Sequence, residues 1–88
     1  MKINRDFTIQ KVGASYVAVA VGETSKKFHG MIRLNETGAF LWNKMTECDC
    51  TEEELVEALL AEYEIDRETA TADVKRMLEG LKAYPVFA

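Results

Sequence analysis

The sequence has too few histidines for most metal sites and for the common catalytic pairs. His29 is the only histidine among 88 residues, and neither Ser15 nor Ser25 has a histidine near it in the sequence. No glycine-rich phosphate loop of the P-loop or dinucleotide-binding kind is present. We therefore expect no enzymatic activity and no bound cofactor or metal.

Cysteines are also scarce, and the two that occur, Cys48 and Cys50, form a C-x-C pair. Such a pair could be half of a metal site or a redox pair. However, a tetrahedral zinc site needs four ligands, and His29 is the only histidine. A disulfide between cysteines two residues apart is expected to be strained. The sequence therefore favours two small loop residues in a reducing compartment.

Long apolar runs and an excess of basic residues are missing as well. No stretch approaches the ~20 apolar residues that span a membrane. The first residues, MKINRDF, lack the apolar core of a signal peptide. The net charge of −4 argues against a general nucleic-acid-binding protein. We expect a cytoplasmic protein with neither a membrane nor a nucleic acid as partner.

Acidic residues are plentiful, and two acidic stretches lie at residues 52–54 and 62–68. Acidic stretches can bind metal ions. Here helix capping and a solvated helix face account better for each position. The acidic stretches therefore do not predict a metal site.

The first half of the chain has the pattern of three strands. Residues 7–12 alternate apolar and polar side chains, as a half-buried strand does. Residues 15–21 are almost wholly apolar, and residues 28–34 form the third predicted strand. Short connections favour an antiparallel meander. Residues 1–6 are expected to be a loose terminus, and the polar loop at 22–27 to be mobile or partner-facing.

The second half has three helix starts, each marked by a capping residue. Asn35 is the predicted N-cap of the first helix. Thr51 and Glu54 form a capping box before the second helix. Asp66 is the predicted N-cap of the third. We therefore predict one domain over residues 1–88, an α+β fold of winged helix-turn-helix type. It consists of a three-stranded antiparallel sheet followed by three helices.

The third strand is the first candidate for a binding site. If its outer edge is open, its backbone N–H and C=O groups can pair with an extended peptide. Alternatively, the edge is covered by the tail of the chain or by a second copy of the domain. The strand pattern leaves these alternatives open.

The third helix is the second candidate, because it combines an apolar stripe with basic residues. The stripe consists of Ala70, Val74, Met77, Leu78 and Leu81, which recur at helical spacing. Such residues usually belong to the core, but one or two could form the floor of a groove beside the third strand. Lys75, Arg76 and Lys82 lie in the second half of the helix. They fit a solvated helix face or a strip that meets an acidic partner.

In order and spacing, these motifs resemble the PqqD-like peptide chaperones of pyrroloquinoline quinone biosynthesis and related pathways. In that family a strand ends in (I/V)-x-L-N-x-(T/S)-(G/A). An apolar helix follows, and then T-x-x-E-(L/I)-(V/I)-x-x-L and D-x-E-T-A-x-x-D-V. The matching residues are Ile32, Leu34, Asn35, Thr37, Gly38, Thr51, Glu54, Leu55, Val56, Leu59, Asp66, Glu68, Thr69, Ala70, Asp73 and Val74. The resemblance covers roughly residues 7–81. The C-x-C pair and the tail at 84–88 depart from it.

The resemblance implies a non-catalytic domain that binds the leader of a ribosomally made precursor peptide. The domain would present that peptide to a radical S-adenosylmethionine (SAM) enzyme. The leader would add as a strand beside the third strand and pack on the third helix. Its predicted backbone contacts are Phe28, His29, Gly30, Met31, Ile32 and Arg33. The predicted apolar floor is Val74, Met77, Leu78 and Leu81, and the predicted charged flank is Lys75, Arg76 and Lys82.

Two other functions remain as alternatives. A DNA-binding winged-helix transcription factor is one, although the acidic total and the lack of a basic, base-reading helix argue against it. A small structural subunit that pairs with itself through the third strand is the other. We expect a monomer or a weak homodimer.

Overall fold

The computed structural model describes residues 2–26, 30–84 and 86–87. Its elements are β1 (Phe7–Val12), β2 (Ser15–Ala20), a 3-10 helix (Gly22–Lys26), β3 (Met31–Leu34), α1 (Glu36–Glu47), α2 (Glu52–Glu62) and α3 (Arg67–Leu81). The predicted α+β fold, a three-stranded antiparallel sheet followed by three helices, is confirmed. None of the helices in these described ranges is both long and apolar enough to cross a membrane.

The sheet has the strand order β1-β2-β3, so β1 and β3 form its two edges. A tight turn at Gly13, with φ of 62°, joins β1 to β2 in a conformation that residues with a Cβ rarely adopt. Side chains alternate between the faces of a strand. Ile32 and Leu34 of β3 are therefore buried, whereas Met31 and Arg33 are exposed.

The core lies between the inner face of the sheet and the helices. Its largest fully buried side chains are Trp42, Ile3, Leu41, Met45, Leu55, Leu59, Val74 and Val86. Phe7 of β1 meets Trp42 of α1 edge-on, with ring centroids 5.5 Å apart and an interplanar angle of 74°. Aromatic pairs prefer this arrangement. The contact fixes α1 across the sheet.

The N-terminal segment is not a loose terminus, and this prediction was wrong. Ile3 is 1% exposed, and its backbone N–H donates to the carbonyl of Met45 at 2.9 Å. The N–H of Asn4 donates to the carbonyl of Val86 at 2.7 Å, and Ile3 forms a β-bridge with Phe87. A single apolar residue gives no periodic pattern, so the sequence carried no signal for this contact. The described part of the tail thus pairs with the N-terminal segment.

The connection between β2 and β3 was predicted to be a mobile or partner-facing loop, but residues 22–26 form a 3-10 helix. Thr24 is only 8% exposed. Its hydroxyl donates to the Asp6 carboxylate at 3.1 Å and accepts from the Asn4 amide at 3.2 Å. These hydrogen bonds tie the connection to the N-terminal segment. Lys27, the last residue of the predicted loop, lies outside the described residues.

The structure also corrects the prediction for the two cysteines. Cys48 and Cys50 are joined by a disulfide in the connection between α1 and α2. Their Cα atoms are 5.5 Å apart, within the usual range for disulfides. The sequence argument relied on the short spacing and on the missing metal ligands. Neither shows how the chain bends after α1.

The structure contains the capping residues that the sequence predicted for α1 and α2. At α1, the Asn35 side-chain oxygen accepts from the Gly38 N–H at 2.7 Å and from the Thr37 hydroxyl at 3.1 Å. At α2, the Thr51 hydroxyl accepts from the Glu54 N–H at 3.1 Å, and the Glu54 carboxylate accepts from the Thr51 N–H at 2.8 Å. These bonds satisfy N–H groups that a helix start leaves without partners.

The Asn35 cap is expected to contribute measurably to stability. Asn35→Ala should lower the free energy of unfolding by about 1 kcal/mol, because the Gly38 N–H loses its acceptor. Urea unfolding measures this change. Asn43→Ala, at an exposed site within α1, is the control and should change the value by less than ~0.5 kcal/mol. Equal losses in the two variants would contradict the capping role.

The third cap, Asp66, makes a pH-dependent contribution. Its carboxylate accepts from the Thr69 N–H at 2.8 Å. Hydrogen bonding from Thr69, by its side chain and then by its backbone, lowers the pKa of Asp66 below its ordinary value. A carboxyl group with a lower pKa in the folded state stabilises the fold above its unfolded pKa of about 3.9. This stabilisation is lost as the pH falls through the folded pKa.

We therefore expect Asp66→Asn to flatten part of the acid dependence of stability. Asparagine can still cap the helix, but it does not titrate. Urea unfolding of both proteins between about pH 5 and pH 2 gives the comparison. The wild-type protein should lose more stability than the variant over this interval. Parallel pH profiles would show that Asp66 has the same pKa in the folded and unfolded states.

Candidate functional site

A groove of about 560 Å³ separates the edge strand β3 from the second half of α3. It is lined by Ser15, Ile32, Arg33, Leu34, Asn35, Thr37, Gly38, Leu41, Asp73, Arg76, Met77, Gly80, Leu81 and Tyr84. We call it the β3–α3 groove. It exists because α3 packs mainly against α2 and leaves space beside β3.

The floor of the groove is apolar and belongs to the core. Ile32 and Leu34 come from β3, Leu41 from α1 and Leu81 from α3, and each is at most 8% exposed. These four side chains pack into the core with most of their surface and show only a small part to the groove. Because they are packed, the floor is formed before any ligand binds.

One side of the groove is the outer edge of β3. β2 lies on the other side of β3, and no strand in the described residues pairs with this outer edge. In an antiparallel pair, alternate residues direct their N–H and C=O groups to the neighbouring strand. The remaining residues of β3 direct theirs away from β2. Such an edge is a template for another strand.

The other side of the groove is one face of α3 and the turn after it. Four lining residues lie on one side of α3, within about a third of its circumference at 3.6 residues per turn; they are Asp73, Arg76, Met77 and Gly80. Tyr84 follows in the turn after the helix. Met77 is half-buried, and Tyr84 is 37% exposed. This side therefore offers apolar surface to a ligand, with a charged pair towards the start of the groove.

The charged lining is weakly basic. It contains two cations, Arg33 and Arg76, and one anion, Asp73. The Arg76 guanidinium lies 3.4 Å from the Asp73 carboxylate. Arg33 is exposed and makes no ion pair within the described residues. In a chain with a net charge of −4, this local excess favours an acidic ligand side chain.

Five of the residues that the sequence predicted to contact a peptide line the groove. They are Ile32, Arg33, Arg76, Met77 and Leu81. Gly30, which precedes β3, and Met31, its first residue, are exposed but lie outside the lining. Phe28 and His29, the start of the predicted third strand, lie outside the described residues. Contact of any of these residues with a peptide stays a prediction.

Two of the four residues predicted to form the apolar floor do not line the groove. Val74 is 0% exposed and Leu78 is 8% exposed; both belong to the core, and neither lines the groove. They lie one turn apart on the inner stripe of α3. Met77 lies beside that stripe on the groove side. Leu81 belongs to the core and also lines the groove. Of the four predicted floor residues, Met77 and Leu81 line the groove.

Only one of the three predicted basic residues lines the groove. Lys75 and Lys82 are exposed, and neither lines the groove. The Lys82 ammonium lies 3.0 Å from the Glu79 carboxylate. Arg76 alone of the three predicted basic residues reaches the groove. Lys75 is two residues away from both Asp73 and Met77, so at about 3.6 residues per turn it lies on the opposite side of α3 from the groove.

Sequence reasoning missed several residues of the lining. Asp73, Gly80 and Tyr84 carried a usable signal, because they continue the spacing of Arg76 and Met77 along α3. The others surround the junction of β3 and α1. They are Ser15, Leu34, Asn35, Thr37, Gly38 and Leu41. Their place in the groove depends on how α1 lies relative to the sheet, which no local pattern shows.

The described residues that line the groove include no histidine or cysteine, and Asp73 is their one carboxylate. In the ranges 2–26, 30–84 and 86–87, no cluster of three or more His, Cys, Asp or Glu side chains could hold a metal ion. The residues that line the groove offer backbone groups, apolar surface and two arginines. Such a set can bind an extended peptide.

The family model of coenzyme PQQ synthesis protein D (PqqD) matches residues 16–85. The match includes β2 except for Ser15, all of β3 and the three α-helices, and every lining residue except Ser15. The chain belongs to the PqqD family.

Two solved structures have a similar fold. One is TbiB1 in complex with the TbiA(beta) leader peptide, with 26% sequence identity and a TM-score of 0.67. The alignment covers 94% of this chain and 90% of that chain. The other is lasso peptide synthetase B1 complexed with the leader peptide, with 18% identity and a TM-score of 0.67. That alignment covers 97% of this chain and 93% of the other. Comparison with curated proteins gave no match.

Proposed function

We propose that this chain is a non-catalytic peptide chaperone that binds the leader of a ribosomally made precursor peptide in the β3–α3 groove. The observation that carries the proposal is the outer edge of β3, which pairs with no strand of the described residues and lies beside an apolar floor. Membership of the PqqD family supports it. The similar structure of TbiB1, which holds a leader peptide, supports it further.

In this proposal the leader binds as a fourth strand. Its backbone pairs with the outer edge of β3, which supplies affinity that depends little on sequence. Alternate side chains of an extended peptide point to opposite faces. One set therefore enters the groove, above Leu41 and Leu81 and against Met77. Contacts between the groove and these side chains supply the specificity.

The chain itself supplies binding, and a partner enzyme supplies the chemistry. We propose a radical SAM enzyme as that partner, on the basis of family membership. Holding the leader near the enzyme raises the effective concentration of the core peptide. The chain should therefore accelerate modification of the full precursor but not of a precursor without its leader. Equal acceleration of both would contradict tethering.

The charges of α3 favour a peptide over duplex DNA. Two of its basic side chains are in ion pairs, Arg67 with Glu57 and Arg76 with Asp73. The C-cap residue Lys82 is paired with Glu79. DNA affinity depends on basic side chains that neutralise phosphates. We expect no shift of random duplex DNA in a gel at low salt.

Self-pairing through β3 would compete with leader binding, because both use the same backbone edge. We propose that the chain is a monomer or a weak homodimer. Light scattering across a range of concentrations, with and without leader, tests this. The leader should dissociate any dimer that forms. A dimer that persists with bound leader would place the dimer contact elsewhere.

Isothermal titration tests the function itself. The probe is the leader of a short precursor peptide, sought among the reading frames beside the gene for this chain. We expect saturable binding with a dissociation constant in the micromolar range or tighter, about −8 kcal/mol or stronger. A peptide of the same composition in scrambled order is the control. Absence of heat with folded protein would overturn the proposed function.

A further inference from the structure

Gly80 is an exposed glycine inside α3 for which the fold gives no reason. Gly13 and Gly22 have φ of 62°, which favours glycine. At Gly38, an added Cβ would lie 2.9 Å from the side-chain oxygen of Asn35. Gly80 has no positive φ, and an added Cβ there would meet nothing within 4 Å.

Gly80 does not serve as the end of the helix either. A glycine that terminates a helix usually does so in the left-handed conformation. Here the helix continues through Leu81, and the C-cap residue Lys82 has φ of −61° and ψ of −22°. Glycine is less favourable than alanine inside a helix. The chain thus accepts a less stable residue at a position where alanine would fit.

The position of Gly80 offers a reason. It follows Met77 by three residues, so the two lie on the same side of α3, and both line the groove. Tyr84, in the turn after the helix, lines the groove as well. Leu81 forms the floor next to it. The α3 side of the groove is open at this position, since an added Cβ would meet nothing within 4 Å. The apolar lining residues nearest to it along the chain are Met77, Leu81 and Tyr84. The thioether of Met77 adapts to irregular shapes and makes favourable contacts with aromatic rings.

We propose that the opening at Gly80 is a subsite for one large aliphatic or aromatic side chain of the bound leader. This inference rests on the proposed function, because it assigns a residue of the leader to a place in the β3–α3 groove. A strand paired with β3 directs every second side chain towards one face. One of these can enter the opening, where a side chain at position 80 would otherwise lie. Gly80 is then a specificity-determining residue.

Peptide selection tests the inference without knowledge of the natural precursor. A phage-displayed library of random linear peptides is panned on the wild-type chain, on Gly80→Leu and on Ala72→Leu. Ala72 is exposed on α3 and does not line the groove, so it is the matched control. The wild-type chain and Ala72→Leu should enrich peptides with a large apolar residue at one fixed position. Gly80→Leu should enrich glycine, alanine or serine at that position.

Affinities give the size of the effect. The peptide selected on the wild-type chain should bind Gly80→Leu about ten- to a hundredfold more weakly, because overpacking excludes its large residue. Ala72→Leu should bind it within about twofold of wild type. Replacing the large residue of the peptide by alanine should weaken binding to the wild-type chain at least about tenfold. If Gly80→Leu does not fold, this alanine substitution in the peptide tests the subsite instead.

Gly80→Ala tests whether the glycine has a structural role. We expect its melting temperature to rise by about 3–6 °C, because alanine is the better helix former. A fall would show that the fold needs glycine and would overturn the inference. The same size preference in wild type and Gly80→Leu would also overturn it, while the proposed function would stand. Failure of the folded wild-type chain to enrich any peptide would overturn both.

Discussion

Replacing Met77 by glutamate is expected to abolish leader binding while the domain stays folded. Met77 is half-buried and lines the groove. A strand bound beside β3 would cover its side chain. In the variant, binding would bury a carboxylate between the bound strand and the apolar floor, and this costs several kcal/mol. We expect the dissociation constant to rise at least about a hundredfold.

Two further variants control this prediction. Ala72→Glu places the same charge on an exposed site of α3 outside the groove, and it should bind the leader like the wild type. Met77→Leu keeps an apolar side chain of similar volume, and its affinity should stay within about threefold. Circular dichroism checks that each variant is folded. Wild-type affinity in folded Met77→Glu would remove the α3 side of the groove from the binding site.

Charge reversal at Arg76 should weaken binding of an acidic leader, whereas the same change at Lys75 should not. The two residues are adjacent in sequence, and each substitution changes the net charge from −4 to −6. Only Arg76 lines the groove. Arg76→Glu removes a cation from the groove and adds an anion next to Asp73. We expect its dissociation constant to rise at least about tenfold.

The comparison with Lys75→Glu separates a local charge from a long-range one. Exposed charges beyond the Debye length of about 8 Å are largely screened at physiological salt. The effect of Lys75→Glu should therefore be less than about threefold under these conditions. Equal losses in the two variants would point to the overall field of the domain. Unchanged affinity in Arg76→Glu would show that the leader does not use this arginine.

The helical half of the fold could be predicted from sequence because its signals are local. Asn35, Thr51 and Asp66 each bond to an N–H within the next three residues, so the capping pattern is complete in a short window. The strand order followed from short connections in the same way. These elements then bring β3 and α3 close to each other, which the family resemblance also implied.

The lining of the groove could not be predicted in the same detail. Periodicity identifies the buried stripe of α3, which includes Val74 and Leu78. It does not show which flank of that stripe faces β3, so Lys75 and Arg76 were equivalent in sequence. Ile3 was missed because its partner, Phe87, lies at the other end of the chain. Contacts between distant segments depend on the packing of the whole fold.

Hydrogen exchange of backbone amides is the most direct measurement of strand addition at β3. The protein is compared with and without saturating leader, and β1, the opposite edge of the sheet, is the internal control. We expect exchange to slow in Met31–Leu34 and to stay unchanged in Phe7–Val12. Bound leader that leaves exchange in β3 unchanged, or that protects β1 instead, would contradict binding at the β3 edge.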